Sequence, residues 1–280
     1  MTGRFAWPEG KRMAVLFNVA YEAWSEGTAP GGSPMGNPLP PGVMDTQGIS
    51  WGSYGHKEGI WRLLRILDAH EVSATVFASG CIAQRAPDTI RALASSGHEI
   101  AAHSYTQDLL PALLDEQAER ENIERCTQLL GDLIDGHISG WLSPRCTPSP
   151  RTGSLLVEAG YAWNGDCFDR DHPYLESHPA GDLVAIPFTM DVNDLPHYLR
   201  HGNTPGSLLE VFTGTLDQLY QREDNPGHLD VTVHAHVFGR PYGAWVLERM
   251  IEITTEHDDI WVPTRAELAA WTRQVFDPNQ

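Results

Sequence analysis

The sequence predicts one α/β domain folded as a closed or partly closed barrel of parallel strands. Short apolar runs of strand length alternate with amphipathic helical stretches along the chain, and no linker or repeat interrupts them. A chain of 280 residues is also the size that one (β/α) barrel commonly fills. A doubly wound open sheet is the alternative topology, although no glycine-rich phosphate loop follows any strand.

Taken in order, Arg12 to Val19 (RMAVLFNV) reads as a buried strand. The Gly/Pro-rich stretch from Gly27 to Gly48 is too polar and broken for regular structure, so it is expected to be an insertion loop that covers a site or a subunit contact. A helix is predicted over Glu58 to His70, a strand over Val72 to Ala78, a helix over Pro87 to Ser96 and a strand over His98 to Ala102. A long helix within Pro111 to Ile134 follows, then a strand before Trp141, a helix from Pro150 to Ala159, and strands at Tyr161 to Trp163 and Leu183 to Ile186. The helix Thr204 to Tyr220, strand Leu229 to His236, helix Gly243 to His257, strand Ile260 to Val262 and helix Arg265 to Trp271 complete a single domain over residues 1–280.

Composition narrows the function classes. A formal net charge of -18, from 37 acidic and 19 basic residues, argues against nucleic acid, an anionic membrane or a strongly acidic polymer as partner. No apolar run approaches a membrane span or a signal-peptide core, and four cysteines without CxxC spacing predict reduced thiols, so a cytoplasmic protein with a small-molecule substrate is expected.

Parallel barrels place catalytic side chains at the carboxyl ends of their strands. Glu22 and Glu26, His103, Arg145, Asp166, Asp169 and Asp171, Asp191, and His234 with His236 all follow predicted strands and would share one rim. Glu22 suits a base or a metal ligand, and His103 a neutral ligand or a proton carrier. His98, five residues earlier on the strand, would face the other way and is read as structural. His234 and His236 are two apart and would share a strand face; paired histidines on an apolar strand are costly to bury without partners. Arg145 could clamp a carboxylate or orient Glu22, Arg240 could touch substrate or fix a turn, and Cys146 beside Arg145 could be a thiolate or a buried thiol.

These residues lie in GHEIAAHSY, GWLSPRCTPSPRT, GDCFDRDHPY, IPFTMDVND and HAHVFGRP, preceded by WGSYGHKEGIWRLLRILDAHEVSATVF. In that order, the segments resemble the polysaccharide-deacetylase superfamily (carbohydrate esterase 4, NodB-like), specifically its branch similar to allantoinases and cyclic imide hydrolases. The resemblance runs from Val15 to Trp271. It implies a distorted (β/α) barrel of the NodB homology type, commonly a homo-oligomer such as a dimer or tetramer, that hydrolyses carbon-nitrogen bonds other than peptide bonds. In metal-dependent relatives the first strand ends in an Asp-rich motif and the third in two histidines four apart. Here Glu22 stands in place of the metal-binding Asp, Ala20 at the base position and Gln107 at the second histidine.

The resemblance therefore implies Glu22, His103 and His234 as catalytic residues, with Glu26, Arg145, Asp169, Asp171, His236 and Arg240 contacting substrate. Glu22, His103 and Gln107 form a tentative set for a divalent metal such as zinc, and metal-independent catalysis is equally open, because a glutamine oxygen is a poor zinc ligand. The expected substrate is a small amide, cyclic imide or ureide. The alternatives are an N-deacetylase of a sugar or peptidoglycan-type glycan and a catalytically eroded binding protein.

Overall fold

The computed structural model describes residues 6–31, 35, 39–40, 42–222 and 226–276. Its centre is β1 (Met13–Tyr21), whose nine residues are all buried, flanked by β2 (Thr75–Ala78) and β8 (Gly227–His234). From β2 the sheet continues through β3 (Glu99–Ala102), β4 (Gly140–Trp141), β5 (Trp163–Cys167) and β7 (Gly181–Pro187) to the edge strand β6 (Tyr174–His178), while β9 (Ile260–Trp261) adds to the start of β1. Every pairing is parallel except that of β6 with β7. The sheet curls into a distorted barrel, and its gap is narrowed by the chain after β7: Asn193 bridges to Thr232 of β8, whose amide donates to the Val192 carbonyl at 3.0 Å.

Alternation along β1 separates the two faces. Met13, Val15, Phe17 and Val19 pack outward against the helices, while Ala14 and Leu16 join Phe77, Ala101, Leu142, Trp163, Val184 and Ile186 in the barrel interior. On that inner face Asn18 follows, in a buried network with Asp230 and Arg265, then Ala20 and finally Glu22 at the mouth.

The helices Pro87–Ser95, Glu116–Gly131, Thr152–Glu158, Pro205–Asp217, Pro241–Thr255 and Arg265–Val275 lie where periodicity predicts them. Others differ from expectation. The helix expected from Glu58 begins at Thr46, capped by Asp45, and passes through a π-helical turn (Gly55–Gly59) before Ile60–Ala69. The insertion loop therefore ends at Asp45 rather than Gly48, and residues 32–34, 36–38 and 41 of it lie outside the described residues. Short helices at Ile82–Arg85 and Leu195–Arg200, and the half-buried strand β6, carry no periodic signal in the sequence. Among the described residues no helix is long and apolar enough to cross a membrane.

Candidate active site

Glu22 leaves β1 at the barrel mouth, and three imidazoles from two other strands surround its carboxylate. His103 Nε2, just beyond β3, lies 3.4 Å from Oε1; His234 Nε2, at the end of β8, lies 3.7 Å from the same oxygen; His236 Nε2 lies 3.8 Å from Oε2. All four side chains are buried. His236 is not on the strand face predicted for it: β8 ends at His234, and a turn over residues 235–239 swings His236 back to the mouth.

Each imidazole is held differently. His103 Nδ1 sits 2.6 Å from the Leu142 carbonyl, which accepts its proton and leaves Nε2 aimed at Glu22. His234 Nδ1 meets Asp194 Oδ1 at 2.6 Å, and the other Asp194 oxygen accepts from the backbone amides of His234 and Phe238 at 2.8 and 3.0 Å. One carboxylate thus fixes both the ring and the turn behind it. His236 is 1% exposed with neither ring nitrogen hydrogen-bonded, held edge-on between Trp24 and Trp51 at 5.3 and 4.9 Å.

The protonation pattern follows from these contacts. Burial works to raise the Glu22 pKa, but the imidazoles, His234 foremost, outweigh it and bring it down to about 2. Burial works against charge on His234 as well, yet Asp194 and Glu22 raise its pKa above the ordinary value. Burial pushes His236 down to about 3, so that ring is neutral at pH 7, whereas His234 is shifted toward its charged form.

A cavity of about 120 Å³ opens above Glu22, lined by Ala20, His103, His234, Arg145, Cys146, Leu195 and Arg200 among others. Ala20, at the position that the resemblance reserves for a base, presents only a methyl group there. Arg145 borders the cavity from a left-handed backbone conformation (φ 56°). Cys146 borders it too but is not a thiolate: burial, then the nearby Asp166 carboxylate, raises its pKa, so proximity to Arg145 does not activate it. Asp166 is turned inward to accept from the Ser143 amide, and burial raises its pKa to about 6.

Several predicted residues stand elsewhere. Glu26 is exposed and lines an adjoining cavity of about 450 Å³ that also reaches Glu22. Asp169 and Asp171 are exposed and border neither cavity; Asp169 accepts from the Tyr174 hydroxyl. Arg240 is a brace, donating to the carbonyls of His236 and Trp51 and stacking 4.0 Å from the Tyr54 ring centre. Two residues that sequence reasoning passed over belong to the site. Asp194 ends the IPFTMDVND segment, where Asp191 drew attention instead, and Arg200 sits on a turn of helix that periodicity did not reveal.

A family model described as polysaccharide deacetylase matches residues 52–163. A solved structure from Pseudomonas aeruginosa PAO1, described as a probable polysaccharide deacetylase, is 30% identical, with a TM-score of 0.86 over 98% of this chain and 95% of that one. The chain belongs to the polysaccharide deacetylase family. An allantoinase of known structure is nearly as similar, at 29% identity and a TM-score of 0.87 over 97% of this chain and 93% of that one. A peptidoglycan deacetylase from Helicobacter pylori is 24% identical over 79% of this chain and 86% of its own length. As a member of this family the chain is a hydrolase of carbon-nitrogen bonds other than peptide bonds.

Family resemblance implies a divalent metal, and the donor set decides whether the residues fit one. Among the described residues no group of three or more His, Cys, Asp or Glu is arranged to hold a metal ion. Gln107 does not complete the tentative set with Glu22 and His103: its amide nitrogen is tied to Ser79 Oγ and the His103 carbonyl at 3.1 and 3.0 Å, and an amide oxygen is a weak ligand beside imidazole. Among the described residues the donor set does not fit the implied metal.

Proposed function

We propose that this deacetylase-family hydrolase opens a carbon-nitrogen bond in a small amide, cyclic imide or ureide. The observation that carries the proposal is the relay from Asp194 through His234 to Glu22 at the floor of a cavity of about 120 Å³, which admits one small ring. Ionised Glu22 takes a proton from water as the oxygen adds to the substrate carbonyl. The Arg145 guanidinium neutralises charge developing on the carbonyl oxygen. The carbon-nitrogen bond breaks, and the His234 imidazolium, steadied by Asp194, gives its Nε2 proton to the leaving nitrogen. Transfer of the proton now on Glu22 to His234 resets the site.

The test is hydrolysis of hydantoin, allantoin, succinimide and N-acetylglucosamine oligomers by the wild type and Glu22→Gln, with and without chelator, beside elemental analysis of the protein. Ring opening that survives chelation and falls by about 10²- to 10⁴-fold in Glu22→Gln supports the reading. The adjoining cavity of about 450 Å³ and the Helicobacter pylori relative favour a second one, N-deacetylation of a glycan. Stoichiometric metal with release of acetate from the sugar would establish it and overturn the first.

A further inference from the structure

A third cavity, of about 270 Å³, shares Glu22, Arg145, Leu195 and Arg200 with the catalytic cavity and adds Trp24, Gln107 and His236. Arg145 and Arg200 are exposed at the rim of this pocket, in a chain whose net charge of -18 makes acidic neighbours plentiful. Among the described residues, however, no carboxylate lies within ion-pair distance of Arg145 or Arg200. Glu22 borders the same space but is matched by His234. His236 on the far wall is neutral and buried, its Nε2 3.8 Å from Glu22 Oε2 and neither nitrogen hydrogen-bonded.

The backbone around Arg145 fits a binding role. A non-glycine residue at φ 56° stores strain that packing must sustain, and such strain clusters at ligand clamps. Opposite, a Cβ at Gly31 would stand 3.0 Å from Arg145 Nη2, so glycine there leaves the guanidinium its place. Two planar, permanently charged forks with a neutral imidazole behind them match a carboxylate, which guanidinium binds in a bidentate manner.

We infer that this cavity recognises a carboxylate on the substrate, seated between Arg200 and one edge of the Arg145 guanidinium beside His236 while the other edge of Arg145 faces the scissile carbonyl, so that the natural substrate is an anionic imide, ureide or amide whose scissile bond lies over Glu22. The inference rests on the proposed hydrolysis and names its substrate class. It predicts that hydantoin-5-acetate is turned over with a kcat/KM above that of hydantoin by about 10- to 100-fold, the effect of one charge-assisted pair. Arg200→Gln should collapse that ratio toward unity through KM for the anionic compound, and Arg200→Lys should restore part of it.

Equal kcat/KM for the two hydantoins, or a ratio unchanged in Arg200→Gln, would overturn the inference and leave the hydrolase reading standing. Calorimetric titration with succinate separates the two failures. If neither hydantoin is hydrolysed but succinate binds the wild type and binds Arg200→Gln at least about tenfold more weakly, the subsite stands and the hydrolase reading falls. Succinate that binds both proteins alike, or neither, overturns the subsite.

Discussion

At the scale of single residues, the site turns on how Asp194 divides its two oxygens. One accepts from His234 Nδ1 and the other from the amides of His234 and Phe238, so the carboxylate sets charge and geometry together. Asp194→Asn keeps the shape and removes the charge. In the wild type the folded pKa of His234 is raised, so its stabilising pair is fully present below the unfolded value near 6.5 and is lost as pH rises through the folded pKa. Activity that needs the imidazolium should fall along the same alkaline limb, which Asp194→Asn should move to lower pH. The pH profile of kcat/KM, with a proton NMR titration of His234, measures both; an unmoved limb would remove His234 as the acid. Glu22 behaves oppositely. Its folded pKa near 2 lies below the unfolded one, so its contribution is present above about 4.5 and lost only as pH falls toward 2. A chelation-resistant rate is expected over the whole neutral range, since the base is already ionised there.

At the scale of elements, the decisive contact is between the π-helical turn Gly55–Gly59 and the turn 235–239 that carries His236. A Cβ on Gly59 would fall 1.9 Å from the Ala235 carbonyl oxygen, and one on Gly239 would fall 2.1 Å from the same atom. Backbone meets backbone there, and no side chain can yield. Gly59→Ala should therefore cost about 1–3 kcal/mol of stability, the usual penalty for overpacking, and lower activity by displacing His236 from Glu22. Thermal melting with parallel assays checks this, and an unchanged melting temperature would show that the two turns can part freely. Glu22, His103 and His234 were legible because each stands at the end of an apolar run, where a barrel puts its chemistry. Asp169 and Asp171 follow a strand too, but that strand's continuation is the edge hairpin β6–β7, which carries them outward. Asp194 and Arg200 ride on a bridge and a short π-type helix held by contacts distant in sequence, which no local periodicity encodes. For Arg240 the sequence left substrate contact and a turn-fixing role open, because its partners Trp51 and Tyr54 lie on the helix beginning at Thr46, which periodicity did not reveal.

At the scale of the molecule, the barrel is pinned beneath its site by a charge inside its core. Arg265, fully buried at the start of the last helix, reaches into the barrel to bond Asp230 of β8, Asn18 of β1 and the Ile186 carbonyl of β7, while its guanidinium stacks near Phe77, Trp163 and Phe188 at 5.4 to 5.6 Å. One side chain thus ties the central strand to both sides of the gap that the Asn193 to Thr232 bridge spans. Asp230 depends on it, because burial raises the pKa of that carboxyl and Arg265 is the first influence opposing the rise. Arg265→Met should destabilise the fold by about 3–5 kcal/mol, since it strands a buried carboxylate rather than merely deleting a bond. The deficit should shrink in acid, where Asp230 takes up a proton and no longer needs a cation, and Arg265→Met combined with Asp230→Leu should recover much of it. Urea unfolding of the three proteins at pH 5 and pH 8 decides the matter: equal deficits at both values would mean that the side chain acts by volume alone, whereas a pH-dependent one would show that the barrel closes around an ion pair.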